Sequence, residues 1–160
     1  MGYRAGTEPV ALIVSLREAC WLASQGMADR LKCLSQLRNY TEKGIKERVD
    51  DIVINGHPTL RLPNTSNISF LHAMGEAIMV QLDLKGIAVS TGSACTSGAE
   101  ETSHVLSAIG LAPEIAKGTI RFSLSYYNTQ EEVDYLLEVL PEIVRNVREF
   151  SPLHKRRKSL

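Results

Sequence analysis

The stretch Thr119-Ile120-Arg121-Phe122-Ser123-Leu124 alternates polar and apolar residues without a break, the period-two pattern of a strand with one covered face. Ile120, Phe122 and Leu124 point toward a core, and Thr119, Arg121 and Ser123 point away from it. Shortly after comes Thr129-x-x-Glu132, the signature of a capping box. Behind it Val133, Leu136, Leu137, Leu140, Ile143, Val144 and Val147 recur at helical spacing. Pro141 interrupts that helix and predicts a kink, because it removes a backbone bond and crowds the preceding turn. A half-buried strand followed by a long amphipathic helix predicts a sheet with helices laid on one side.

Working outward from this stretch gives the same architecture. Asn67-Ile68-Ser69-Phe70 alternates cleanly, Ile52-Val53-Ile54 is a short apolar run closed by Asn55-Gly56, and Gly86-Ile87-Ala88-Val89-Ser90 reads as another strand. Helices separate them. The first is predicted to start after Thr7 as N-cap, with Glu8 and Pro9 in its first turn and Leu12, Leu16, Ala19, Cys20 and Ala23 on its apolar stripe. Gly26 ends or bends it. A second helix carries Met27, Leu31, Leu34, Ile45 and Val49. Residues 75–84 form a third and 102–109 a fourth, stopped by Gly110 and Pro113. The predicted fold class is α+β, a small mixed or antiparallel sheet backed by helices.

The bulk properties narrow the function. A chain of 160 residues with 44% hydrophobic and 22% charged residues is that of one soluble domain with a real core. Its 18 basic and 18 acidic side chains cancel, leaving no global field to recruit nucleic acid or a membrane surface. The longest apolar run, 10–16, is broken by Ser15 and is too short to cross a bilayer. Glu8, Arg17 and Glu18 interrupt the only apolar candidate for a signal peptide, and Gly6 stands where a myristoylation motif wants Ser or Thr. A cytoplasmic location is expected. The three cysteines, at 20, 33 and 95, form no CxxC pair and no zinc spacing, so reduced thiols and no metal site are expected.

One segment carries the chemistry. In Ser90-Thr91-Gly92-Ser93-Ala94-Cys95-Thr96-Ser97-Gly98-Ala99 a single thiol sits among small residues, with glycines on both sides. That composition suits a mobile loop whose nucleophile travels to its target, whereas a free cysteine elsewhere is usually a small buried hydrophobe. Cys20, on an apolar helix stripe, and Cys33, without a partner, fit that blander description. Arg121 leaves the core face of its strand, as a solvated Arg does and equally as a bidentate clamp for a small carboxylate does. Thr7 reads first as a plain N-cap, although a hydroxyl at a helix start also offers an anion site. His104 reads as structural, and the tail His154-Lys155-Arg156-Arg157-Lys158 as a solvated charge run.

Taken together these residues resemble the cysteine desulfurases of the NifS/IscS type, pyridoxal-phosphate enzymes of the class V aminotransferase family. The stretch from Leu84-Lys85-Gly86-Ile87 through Ser93-Ala94-Cys95-Thr96-Ser97 is similar to the active-site loop of their long-loop subgroup. Asn55-Gly56-His57-Pro58, Leu62-Pro63-Asn64, Asn67-Ile68-Ser69-Phe70, Ser103-His104-Val105-Leu106, Ile120-Arg121-Phe122-Ser123-Leu124 and Ser151-Pro152-Leu153 match the family in order and spacing. The resemblance runs from about Tyr3 to Leu153.

What it implies is specific. Such an enzyme converts L-cysteine to L-alanine and holds the sulfur as a cysteine persulfide for iron–sulfur cluster assembly or other sulfur transfer. Cys95 would take the sulfur and Arg121 would hold the substrate carboxylate. Thr7, within Arg4-Ala5-Gly6-Thr7-Glu8, would reach the phosphate of the pyridoxal cofactor in the neighbouring subunit of a homodimer, with Pro9 where many members have Asn. A sulfur-acceptor or scaffold protein is the implied partner, with no role for nucleic acid or membrane.

The resemblance places this chain at the C-terminal, small-domain portion of a fold-type-I enzyme. Residues 1–26 would be the linker loop and helix at the end of a cofactor domain, 27–150 the small domain and 151–160 a basic tail. The Schiff-base lysine has no counterpart, since the only His-Lys pair is His154-Lys155 in the tail. The residue that stacks on the ring and the Asp that pairs with its nitrogen are also missing. Pyridoxal 5'-phosphate is therefore expected in a complete enzyme and not bound by this chain alone, which is expected to be inactive. A truncated gene, a split subunit and an excised piece are equally compatible. The alternatives are a non-enzymatic persulfide carrier using Cys95, or a remnant without function.

Overall fold

The computed structural model describes residues 6–91 and 103–151. Four strands, β1 (Ile52–Ile54), β2 (Thr65–Phe70), β3 (Ser90–Thr91) and β4 (Thr119–Ser123), form one sheet in the order β1-β2-β4-β3. Every pairing in it is antiparallel. Among the described residues six helices accompany it: α1 (Val10–Ser24), α2 (Met27–Arg48), α3 (Gly75–Asp83), α4 (His104–Ala108), α5 (Pro113–Ala116) and α6 (Gln130–Phe150). The predicted α+β class holds, and the sheet is antiparallel rather than mixed.

Alternation decides which way each strand faces. Ile68 and Phe70 of β2, with Ile120 and Phe122 of β4, are buried against Ile45 of α2, Ile78 and Leu82 of α3, and the α6 stripe of Leu136, Leu140 and Val144. Arg121 and Ser123 point the other way and are exposed. Thr119 departs from the pattern and is fully buried. Its hydroxyl donates to the Ile115 carbonyl of α5 at 3.3 Å and meets the Ser69 hydroxyl at 2.8 Å. Sequence reading passed over α5, because Pro113 signals a stop. The same proline, with no N–H to satisfy, also suits the first helical position it occupies here.

Two boundaries and one burial differ from expectation. α1 begins at Val10, with Pro9 as N-cap and no side-chain cap, so Thr7 is not the cap. A residue before proline is driven toward extended backbone, which keeps Glu8 and Thr7 out of the helix. β3 is confined to Ser90–Thr91 rather than starting at Gly86. Residues 84–86 are spent on the turn that closes α3, where Gly86 takes φ +79° and its N–H donates to the Asp83 carbonyl at 2.8 Å. Cys20 is exposed, not buried, because no residue of α1 is buried. Gly26 does end α1, at φ +65°, where an L side chain would be strained.

α6 runs unbroken through Pro141 and carries the complete capping box. The Glu132 N–H donates to the Thr129 hydroxyl at 3.3 Å, and the Thr129 N–H donates to the Glu132 carboxylate at 3.1 Å. The Asn128 amide, first, and the Thr129 N–H hold the Glu132 carboxyl below its ordinary range. A depressed carboxylate adds stability above its unfolded pKa and loses it as pH falls through the folded one. Thr129→Ala is expected to cost about 1 kcal/mol. Glu132→Gln should flatten the acid limb of a stability-against-pH curve, read by urea denaturation at several pH values. An unchanged limb would mean that the box is not formed in solution.

Candidate functional site

The sheet face turned away from α2, α3 and α6 carries a polar row. Asn67, Arg121 and Ser90 stand directly across from one another on β2, β4 and β3, and directly opposed side chains share a face a few ångströms apart. β4 is an inner strand, hydrogen-bonded on both sides, so the Arg121 backbone is held by two ladders. One terminal nitrogen of its guanidinium, Nη2, donates to the Ser90 hydroxyl at 3.4 Å, a long bond.

Three other arginines show how differently Arg121 is placed. Arg61 lies against the Glu42 carboxylate, which also accepts from the Ser66 hydroxyl at 2.6 Å. Arg148 donates to the Leu71, Asp50 and Asp51 carbonyls, and buried Arg38 to the Leu62 carbonyl at 2.8 Å. Burial, then the neighbouring Arg61, pulls the Arg38 guanidinium below its ordinary pKa, with Glu42 opposing. Those three lock loops to helices. Among the described residues Arg121 has a hydroxyl neighbour, no carboxylate partner, and solvent access.

Behind the row lies a hydrogen-bonded strip. The Asn55 Nδ2 donates to the Asn67 Oδ1 and to the Ser69 Oγ, both at 2.8 Å, and Ser69 continues to Thr119. Asn55, Ser69 and Thr119 are buried, which such groups tolerate only when paired. Sequence reading did not single out Asn55, Asn67 or Ser90. The alternation of 67–70 put Asn67 on this face, but pairing between residues far apart in sequence left no local signal.

The remaining candidates are dispersed. Cys95 lies outside the described residues, in the run that follows β3 directly in the chain. Thr7 is exposed in the lead-in to α1, and no hydrogen bond joins it to Arg121 or Ser90. His104 opens α4 and is exposed. Cys33, exposed, lines a cavity of about 500 Å³ with Tyr40 and Tyr126. Among the described residues no group of three or more His, Cys, Asp or Glu could hold a metal, and no helix is long and apolar enough to cross a membrane.

The row suits a small carboxylate, since it sets a guanidinium and an amide on one sheet face with no acidic side chain paired to them among the described residues. It does not suit a pyridoxal ring. The four strands carry no lysine to bind one and no carboxylate to pair with its nitrogen, and their two aromatic residues, Phe70 and Phe122, are buried in the core.

Comparison with known proteins agrees with this architecture. The family model "Aminotransferase class-V" matches residues 1–136, and the chain belongs to that family. It is 46% identical over 149 residues to a cysteine desulfurase IscS of Dictyoglomus turgidum, covering 93% of this chain and 38% of that one. It is 47% identical over 151 residues to cysteine desulfurase 2 of Trichormus variabilis, covering 94% and 38%. Among solved structures, a NifS-like protein superposes with a TM-score of 0.76 at 34% identity, covering 89% of this chain and 36% of that one. The NifS-like protein of Rickettsia africae gives 0.76 at 31%, with the same coverage. The chain thus spans under two fifths of the length of the relatives it matches.

Proposed function

We propose that this chain is the C-terminal, small-domain portion of a NifS/IscS-type cysteine desulfurase. In this reading residues 1–26 link to the cofactor domain, 27–150 form the small domain and 151–160 are a basic tail. The net reaction takes L-cysteine and the Cys95 thiol to L-alanine and a Cys95 persulfide, which a sulfur-acceptor or scaffold protein then collects. Arg121 anchors the substrate carboxylate. Thr7, an exposed hydroxyl ahead of α1, serves the cofactor phosphate of the neighbouring subunit in a homodimer. The groups that hold the pyridoxal ring come from outside this chain, and a cytoplasmic setting keeps Cys95 reduced.

The observation that carries this reading is Arg121, fixed on an inner strand, open to solvent and, among the described residues, free of any acidic partner. It stands beside the strand that leads on to Cys95. A paired guanidinium would have no reason to wait there for an anion, whereas one backed only by a hydroxyl keeps two parallel N–H donors for a carboxylate.

The test is complementation. The chain is mixed with a second chain carrying the cofactor-binding part of such an enzyme, and alanine release and persulfide on Cys95 are followed by mass spectrometry. Neither chain alone is expected to turn over, the mixture is, and Cys95→Ser should abolish the persulfide. Turnover by this chain alone, or a stoichiometric lysine-linked cofactor on it, would contradict the division of labour.

A further inference from the structure

The donors of the polar row outnumber its acceptors. Asn55 spends both Nδ2 hydrogens, one on the Asn67 Oδ1 and one on the Ser69 Oγ, each at 2.8 Å. Asn55 is itself buried, and its own N–H donates to the Asn67 carbonyl at 2.8 Å, so its position is set by backbone as well as side chain. The Asn67 amide therefore cannot flip without breaking that contact. Its oxygen is occupied, its NH₂ group has no partner among the described residues, and the residue directly across the strand pairing is Arg121. A half-buried amide whose acceptor is satisfied and whose donors are idle, directly across from a guanidinium that among the described residues meets only a hydroxyl, is arranged for an acceptor that arrives from outside.

We infer that Asn67 is a second binding residue of the Arg121 site, donating its amide N–H to the same small carboxylate ligand, and that Asn55 is the positioning residue that aims it. This rests on the reading of Arg121 as the carboxylate anchor. It adds specificity: Arg121 fixes the charge, and a donor one strand away fixes which way a small amino acid lies. An isolated guanidinium would hold any carboxylate in several orientations. Ser90, which already accepts from Arg121, steadies the guanidinium on its other flank.

The test is a titration of the ¹⁵N-labelled chain with L-alanine, followed by the Arg121 Nε and Asn67 Nδ2 resonances, with L-alanine methyl ester as the control lacking the carboxylate. Both resonances are expected to move together and saturate with L-alanine and not with the ester. Asn67→Ala should weaken binding about tenfold, as loss of a hydrogen bond to a charged group does. Asn55→Ala should weaken it less, about threefold, and abolish the saturating shift at Asn67 while that at Arg121 persists. A purely structural Asn55 would not separate the two resonances. If Arg121 responds and Asn67 does not, with affinity unchanged in Asn67→Ala, the inference is overturned and the Arg121 reading stands. If Arg121→Ala leaves the titration unchanged, or nothing saturates in the unsubstituted chain, the anchor reading fails and the inference with it.

Discussion

Phe122→Ala is expected to lower stability by about 3 kcal/mol, while Arg121→Ala, one residue earlier on the same strand, shifts it by no more than about half a kcal/mol. Phe122 is 4% exposed and packs in the core under α3 and α6, so its loss opens a cavity that the neighbours fill only in part. Among the described residues Arg121 meets only the Ser90 hydroxyl, at 3.4 Å, and its side chain is exposed. A denaturation midpoint for each variant decides the matter. Equal destabilisation by the two would mean that Arg121 supports the fold, and its assignment as an anion anchor would fall.

Gly118→Ala is expected to be about as damaging as Phe122→Ala. A Cβ at Gly118 would stand 2.3 Å from the Phe70 carbonyl oxygen and 2.9 Å from that of Ala73. Both are backbone atoms and cannot rotate aside. The same residue accepts the Phe70 N–H at 2.9 Å, which ties the start of β4 to the end of β2. Overpacking of this kind costs about 1–3 kcal/mol, and here it also loosens strand register. A one-residue slip would turn Arg121 into the core and Phe122 out of it. Gly44 is a matched comparison, since its Cβ would meet the Leu137 side chain at 2.3 Å. That side chain can change rotamer, and Ala favours the helix, so Gly44→Ala should cost clearly less. Thermal midpoints in the reverse order would place the tight contact elsewhere.

Much of this was legible in the sequence, and the reasons are local. The alternation of 119–124 gave both the buried face and the outward aim of Arg121, and the Thr129–Glu132 spacing gave the cap of α6. What failed to show was long-range or two-valued. Thr119 is buried because α5 covers it, and Pro113 reads equally well as the end of one helix or the start of another. The Asn55–Asn67–Ser69 strip joins residues that only strand pairing brings together. The apolar stripe of α1 was visible, with Leu12 and Leu16 on it, yet they are 70% and 65% exposed. Periodicity marks a face to be covered without saying what covers it. Cys20 was read as buried on the same ground and is not.

The most direct measurement is kcat/KM for L-cysteine in the two-chain assembly, with and without Arg121→Ala, alongside the denaturation midpoint of each small-domain chain. Loss of a bidentate, charge-assisted pair removes roughly 3 kcal/mol of substrate and transition-state binding, so a fall of about a hundredfold or more is expected at unchanged stability. Arg121→Lys, which keeps the charge without the fork, should recover only part of it. A variant that keeps full kcat/KM, or one that loses activity only because it unfolds, would contradict the assignment of Arg121 as the carboxylate anchor.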